Sequence, residues 1–283
     1  MRLTLLINCP DKTNIVHSVT GFISTKGGNI IYLDQHVDQE ANVFFMRIQS
    51  DFVANSFDLE AFEQEFEKEI GTPFSMQWEV FMDGYRPKMA IFVSKYKHCL
   101  YDLLSRHISG ELEVDIPFII SNHGDLRSIA EQFNIPFHHI PVQKDNKEVS
   151  ENEQLRLLQD AQVDFMVLAR YMQIIGPRMI AQYPNKIINI HHSFLPAFVG
   201  AKPYHAAFKR GVKIIGATSH YVTEALDAGP IIEQDVTTVS HSHSIRDFIA
   251  KGRDLEKIVL SRAVKLHIDR KTMAYNNKTV IFS

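Results

Sequence analysis

Apolar and polar residues follow two different rhythms along this chain, and the change falls near "MDGYRPKM" (82–89), where Gly84, Arg86 and Pro87 break the pattern. Before the break, apolar runs predict strands over 3–8, 29–37, 42–50 and 74–81. Ile15, Val19 and Phe22 recur at steps of four and three, and Leu59, Phe62, Phe66 and Ile70 make a second stripe. These spacings predict two helices, each with one face in need of a sheet. The polar "DQEAN" (38–42) fits a hairpin, and "KGGN" (26–29) supplies a flexible turn after the first helix. The order βαββαβ predicts a ferredoxin-like unit, a four-stranded antiparallel sheet with two helices on one face.

After the break, strands and helices alternate. Strands are predicted over 89–94, 117–122, 137–142, 164–170 and 186–192, with helices near 96–107 and 125–133, one opened by Ser150 and Glu153 at capping-box spacing, and a short one before 186. Strands over 214–223 and 230–239 and a helix from about Ser244 to His267 complete the chain. Such alternation predicts an α/β, Rossmann-like domain with a mostly parallel sheet covered on both faces. The expected organisation is a first domain over 1–83, a linker over 84–88 and a second domain over 89–283. Ligands in sheets of this kind lie at the carboxyl ends of the strands, where Asn122, Arg170 and His191 fall.

The totals narrow the function classes. A chain of 283 residues that is 45% hydrophobic suits globular structure, and a net charge of −3 exerts no general pull on nucleic acid or anionic membrane. The apolar stretch at the N-terminus is interrupted at Asn8, too short for a secretory core or a spanning helix, so a cytoplasmic location is expected. Two cysteines, Cys9 and Cys99, are too few for a disulfide framework.

Candidate chemistry gathers in two segments. In "NIHHSFLPAF" (189–198), alternate residues of an extended strand share a face, so Asn189 and His191 project together and His192 points away. Adjacent histidines on one strand cannot easily share a metal, and none is expected. In "HYVTEALDAGPI" (220–231), Gly229 and Pro230 suggest a fixed loop able to hold Asp227 rigidly. Asp227 is equally readable as a turn aspartate bonded to its own backbone, and His220 as a structural histidine. Together, an amide donor, an imidazole and a carboxylate suit attack on a carbonyl-like carbon. "HHSFLP" lacks the glycine-flanked elbow of a serine nucleophile.

These residues resemble a known family. The span from "NIHHSFLPAF" to "LDAGPIIEQ", with Asn-x-His before Leu-Pro and Leu-Asp-x-Gly-Pro downstream, is similar to the formyltetrahydrofolate-dependent formyltransferase fold, over about 88–283. "HHSFLPAF", "KHCLYDLL" (97–104), "SNHGDLR" (121–127) and "GRDLEKIVLSRAV" (252–264) resemble the formyltetrahydrofolate deformylases in particular, and "CPDKTNIV" (9–16) resembles an ACT domain. The resemblance implies hydrolysis of 10-formyltetrahydrofolate to tetrahydrofolate and formate, supplying formate to purine synthesis, with no cofactor. It makes Asn189, His191 and Asp227 catalytic, with Thr218 and His220 lining the site. Ala169, Arg170, Met172, Gln173, Ile174 and Glu224 would meet the folate, and Gly200 and Lys202 would border the acceptor pocket. From the ACT resemblance come a candidate amino-acid effector site at Asp11 and Asn14 and assembly into a homo-oligomer. The alternative is a formyltransferase that uses an amine acceptor such as glycinamide ribonucleotide. "VSKYKHCLYDLL" (93–104) has no glycine where the transformylase cradles its substrate's phosphate, which argues for water as acceptor.

Overall fold

The computed structural model describes residues 1–53, 57–143, 146–197 and 203–283. Two compact units divide between Tyr85 and Arg86; Arg270–Met273 and Val280–Ser283 belong with the first, and Ala274–Thr279 with the second. The last residues of the chain are therefore shared between the units and do not all fall in the second, where sequence alone put them.

In the first unit, β1 (Arg2–Pro10), β2 (Asn29–Asp38), β3 (Val43–Asp51) and β4 (Gln77–Met82) form an antiparallel sheet in the order β2-β3-β1-β4. This is the ferredoxin-like arrangement. Helix α1 (Ile15–Thr25) buries Ile15, Val19 and Phe22, as its spacing predicts. The second helix is less regular: α2 (Leu59–Phe66) passes through a π turn (Glu67–Gly71) into the short α3 (Thr72–Phe74). Phe62, Phe66 and Ile70 nonetheless join α1 and the strands in one core. Gly28 permits the return from α1, because a Cβ there would lie 2.6 Å from Ile23 and 2.7 Å from the Phe52 ring.

In the second unit, β5 (Met89–Val93), β6 (Ile119–Ser121), β7 (Phe137–His139), β8 (Phe165–Leu168), β9 (Ile187–His191), β10 (Ile214–Tyr221) and β11 (Ile231–Thr238) form one sheet in the order β11-β10-β9-β8-β5-β6-β7. The five strands from β5 to β9 pair in parallel, whereas β10 runs antiparallel to both β9 and β11. Strand β5 shows why both faces are covered. Met89, Ile91 and Val93 enter one core with α4 (His98–Ile108), α5 (Arg127–Gln132) and α9 (Ile245–Ile268), while Ala90 and Phe92 enter another with α6 (Lys147–Asp160) and α7 (Pro177–Gln182). All five are buried, and each large apolar side chain among them contributes roughly 1.5–3 kcal/mol.

Three details depart from the sequence reading. Helix α6 begins three residues before Ser150, so Ser150 is not its cap; its Oγ donates to the Pro141 carbonyl at 2.9 Å. A true capping box opens α9, where Ser244 and Asp247 satisfy each other's backbone. Two elements were not anticipated: α8 (Pro203–Arg210), and a terminal hairpin of β12 (Thr272–Tyr275) and β13 (Lys278–Ile281). Left-handed Asn276 and Asn277 close that hairpin, a primed turn matched to strand twist.

The loop from β10 to β11 lies directly on the β10 backbone. Tyr221 N–H donates to the Pro230 carbonyl at 2.9 Å, and a Cβ on Gly229 would stand 1.8 Å from the Tyr221 carbonyl oxygen. Gly229→Ala is expected to lower the unfolding free energy by about 2–3 kcal/mol, measured by urea denaturation with an unchanged m-value.

Candidate active site

Strand pairing assembles the site. Antiparallel register sets His220 opposite Asn189 and Thr218 opposite His191, so residues distant in sequence face one another across β9 and β10. The β10–β11 loop then brings in Asp227, held in the left-handed region at φ 52. Asn277 fastens that loop by donating to the Ala228 carbonyl at 2.8 Å.

The expected trio is brought together. His191 is 6% exposed; its Nδ1 lies 3.3 Å from Asp227 Oδ2, while its Nε2 is buried and makes no hydrogen bond among the described residues. Asn189 Nδ2 lies 3.2 Å from His220 Nε2, which is 3.8 Å from Asp227 Oδ1. The hydrogen bond from His191 holds the Asp227 carboxyl below the usual carboxylate range, against the opposing effect of burial. Burial in turn pushes His220 below the ordinary histidine value, which favours the neutral ring. His220 Nδ1 lies 2.9 Å from the Tyr221 carbonyl, so that nitrogen carries the proton and Nε2 accepts from Asn189. The amide of Asn189 is thereby oriented, and among the described residues its nitrogen makes no second hydrogen bond.

Two residues play different parts from those expected. Thr218 is fully buried and braces the turn after β9: its hydroxyl donates to the Ser193 carbonyl at 2.9 Å and accepts from Leu195 N at 3.0 Å and Gln234 Nε2 at 2.9 Å. It therefore presents nothing to a substrate. His192 does not point away from His191; their ring centroids are 5.2 Å apart, because β9 ends at His191 and strand alternation ends with it.

The segment after β8 divides into inner and outer residues. Ala169 is buried and donates its N–H to the Phe92 carbonyl, while Arg170, at φ 64, turns inward with Nε 3.5 Å from Glu256 Oε2. Met172 and Ile174 are exposed at 50% and 62%, offering an apolar surface beside half-buried Gln173. Glu224 lies exposed on the β10–β11 loop. Gly200 and Lys202 lie outside the described residues.

Sequence reasoning missed a buried polar knot around Glu256, which is 1% exposed. Its Oε1 accepts from Tyr204 and its Oε2 lies 2.7 Å from His98 Nε2. The available signal was a glutamate inside the buried stripe of α9, beside Leu255 and between Gly252 and Val259. His98, Cys99 and Glu256 also place potential metal-ligating atoms within 4.8 Å. Both Glu256 oxygens are already engaged, however, and burial holds the Cys99 thiol well above its ordinary pKa, so the group is a poor match for a metal.

The chain is similar to known proteins over nearly its whole length. The formyl transferase family matches residues 87–264. A relative from Synechocystis sp. named formyltetrahydrofolate deformylase is 49% identical over 281 residues, 99% of this chain and 98% of its own. A solved formyltetrahydrofolate deformylase from Pseudomonas syringae pv. tomato matches with a TM-score of 0.96 at 47% identity, over 100% of this chain and 95% of that one. A phosphoribosylglycinamide formyltransferase from Anaplasma phagocytophilum reaches a TM-score of 0.64 at 27% identity, over 70% of this chain and 96% of its own. With near full-length relatives of one name and a formyl transferase domain around the paired β9 and β10, the chain belongs to the formyltetrahydrofolate deformylase family.

Proposed function

We propose that this chain hydrolyses 10-formyltetrahydrofolate to tetrahydrofolate and formate. The observation that carries the reading is His191, whose Nδ1 is tied to Asp227 while its buried Nε2 has no hydrogen-bond partner among the described residues, in a chain with near full-length deformylase relatives. Protonated His191 donates from Nδ1 to Asp227 and from Nε2 to the formyl oxygen, and the free N–H of Asn189 is the second donor. Water adds to the formyl carbon and gives a proton to Asp227. Collapse breaks the carbon–nitrogen bond, and the proton passes to the departing amine, leaving formate and tetrahydrofolate. Neutral His220 keeps Asn189 correctly turned.

The pterin of the substrate lies against Met172 and Ile174, with polar contacts from the backbone around Gln173 and from the loop bearing Glu224. Catalysis as described uses no metal or cofactor. The amine-acceptor alternative is less well supported, since the Anaplasma transferase matches 70% of this chain and the deformylase relatives match nearly all of it.

The first unit is read as an ACT domain that binds a small amino acid near Asp11 and Asn14. Asn14 supports this reading by adopting φ 71 at the start of α1, and Asp11 N–H anchors the same turn on the Asn42 carbonyl at 2.9 Å. The β2 edge, with Ile31 41% exposed, is a surface for homo-oligomer assembly. The reading also includes a cytoplasmic location and supply of formate to purine synthesis. No helix among the described residues is long and apolar enough to cross a membrane.

Purified protein is expected to release formate and tetrahydrofolate in equal amounts at a rate unchanged by glycinamide ribonucleotide; turnover only with that acceptor would establish the transferase instead. Asp227→Asn is expected to lower kcat by about 10²–10⁴-fold with an unchanged circular dichroism spectrum. Retained turnover would remove Asp227 from the chemistry.

A further expectation concerns pH. The pKa of His220 is lowered from 6.5 on folding, so the stability its neutral ring contributes is present above 6.5 and lost as pH falls through the folded-state value, because the unfolded chain takes up the proton first. Urea unfolding at pH 7.5 and 5.5 should show a smaller loss of stability in His220→Gln than in the parent protein.

A further inference from the structure

A buried arrangement lies beside the proposed catalytic residues and contains none of them. Glu256, on the inward stripe of α9, accepts from the Tyr204 hydroxyl at 2.7 Å. The Tyr204 ring meets His192 edge-on, with centroids 5.9 Å apart and planes at 65°. His192 in turn packs against His191 at 5.2 Å and 42°. A continuous line of contact thus runs from α9 through α8 to the imidazole that faces the substrate.

The surroundings hold this line in one geometry. Gly252, one turn before Glu256, is the space into which the phenol fits, since a Cβ there would stand 2.1 Å from Tyr204 Cζ and 2.4 Å from its oxygen. Burial and the neighbouring Glu256 push the Tyr204 pKa far up, so the hydroxyl remains a donor. Burial alone would raise the Glu256 pKa, but the hydrogen bonds from His98 and Tyr204 and the charge of Arg170 bring it below the usual range, keeping a charged acceptor. Charge-assisted hydrogen bonds of this kind are shorter and stronger than neutral ones and pin the tip of the donor ring in place.

We infer that Tyr204 and Glu256 are positioning residues for the hydrolysis. Their hydrogen bond fixes the ring on which His192 rests, and His192 sets the plane of His191, so that Nδ1 meets Asp227 while Nε2 meets the formyl oxygen. This rests on the proposed function for its kinetic consequence and on geometry alone for its structural one. His192, on this view, is a spacer between an anchored phenol and a catalytic imidazole.

Tyr204→Phe keeps the ring and removes the anchor. It is expected to lower kcat three- to tenfold with KM within twofold of the parent value, and to lower Tm by several degrees because the buried Glu256 loses a donor. Gly252→Ala, which presses on the same end of the ring from α9, should give the same split between kcat and KM. Histidine NMR of the ligand-free protein supplies a readout independent of turnover: the imidazole resonances of His191 and His192 should move in both variants while those of His138, packed on Phe118, stay in place. Unmoved His191 and His192 resonances would overturn the inference, as would a rise in KM at constant kcat, which marks substrate contact in place of positioning. A parent protein without hydrolytic turnover would overturn the proposed function and leave the resonances to decide this inference.

Discussion

The antiparallel register between β9 and β10 is the constraint on which the site depends. With His220 opposite Asn189 and Thr218 opposite His191, an amide, two imidazoles and a bracing hydroxyl come within reach of one another from two short strands. A shift of one residue in that register would send each side chain to the opposite face and dismantle the group. The remainder of the second unit holds this pair in place: four further parallel strands on one side and β11 on the other extend the sheet, and helices cover both faces.

Side-chain commitments refine what register begins. His220 is kept neutral by burial and spends one nitrogen on the Tyr221 carbonyl, which leaves the other to orient Asn189. Asp227 occupies a left-handed backbone position, on a loop that approaches β10 so closely that Gly229 has no room for a side chain. Thr218 uses its whole hydrogen-bonding capacity on the turn after β9. These are costs in conformational freedom and desolvation, and they leave His191 Nε2 buried without an intramolecular partner among the described residues.

Much of the architecture was legible because burial has a period. Steps of three and four exposed α1 and most of α2, and apolar runs separated by helical patterns exposed the parallel sheet. The Asn-x-His pair was readable for the same reason, since alternate residues of a strand share a face. His192 was misread where that rule lapses, one residue beyond the end of β9. Ser150 was misread because a capping-box spacing recurs inside helices as well as at their starts. The terminal hairpin escaped notice, its two strands being four residues each and joined at a pair of asparagines.

By itself the sequence determined the two-part organisation, the class of each part, and the identity of Asn189, His191 and Asp227 as candidates, since periodicity and residue chemistry are local properties. Tertiary structure decided which atoms meet. The turn of Arg170 toward Glu256, the bracing part of Thr218 and the anchoring of Tyr204 beside Gly252 all depend on contacts between elements far apart in sequence. No local pattern encodes those contacts, because packing and strand register are settled only when the whole chain has closed on itself.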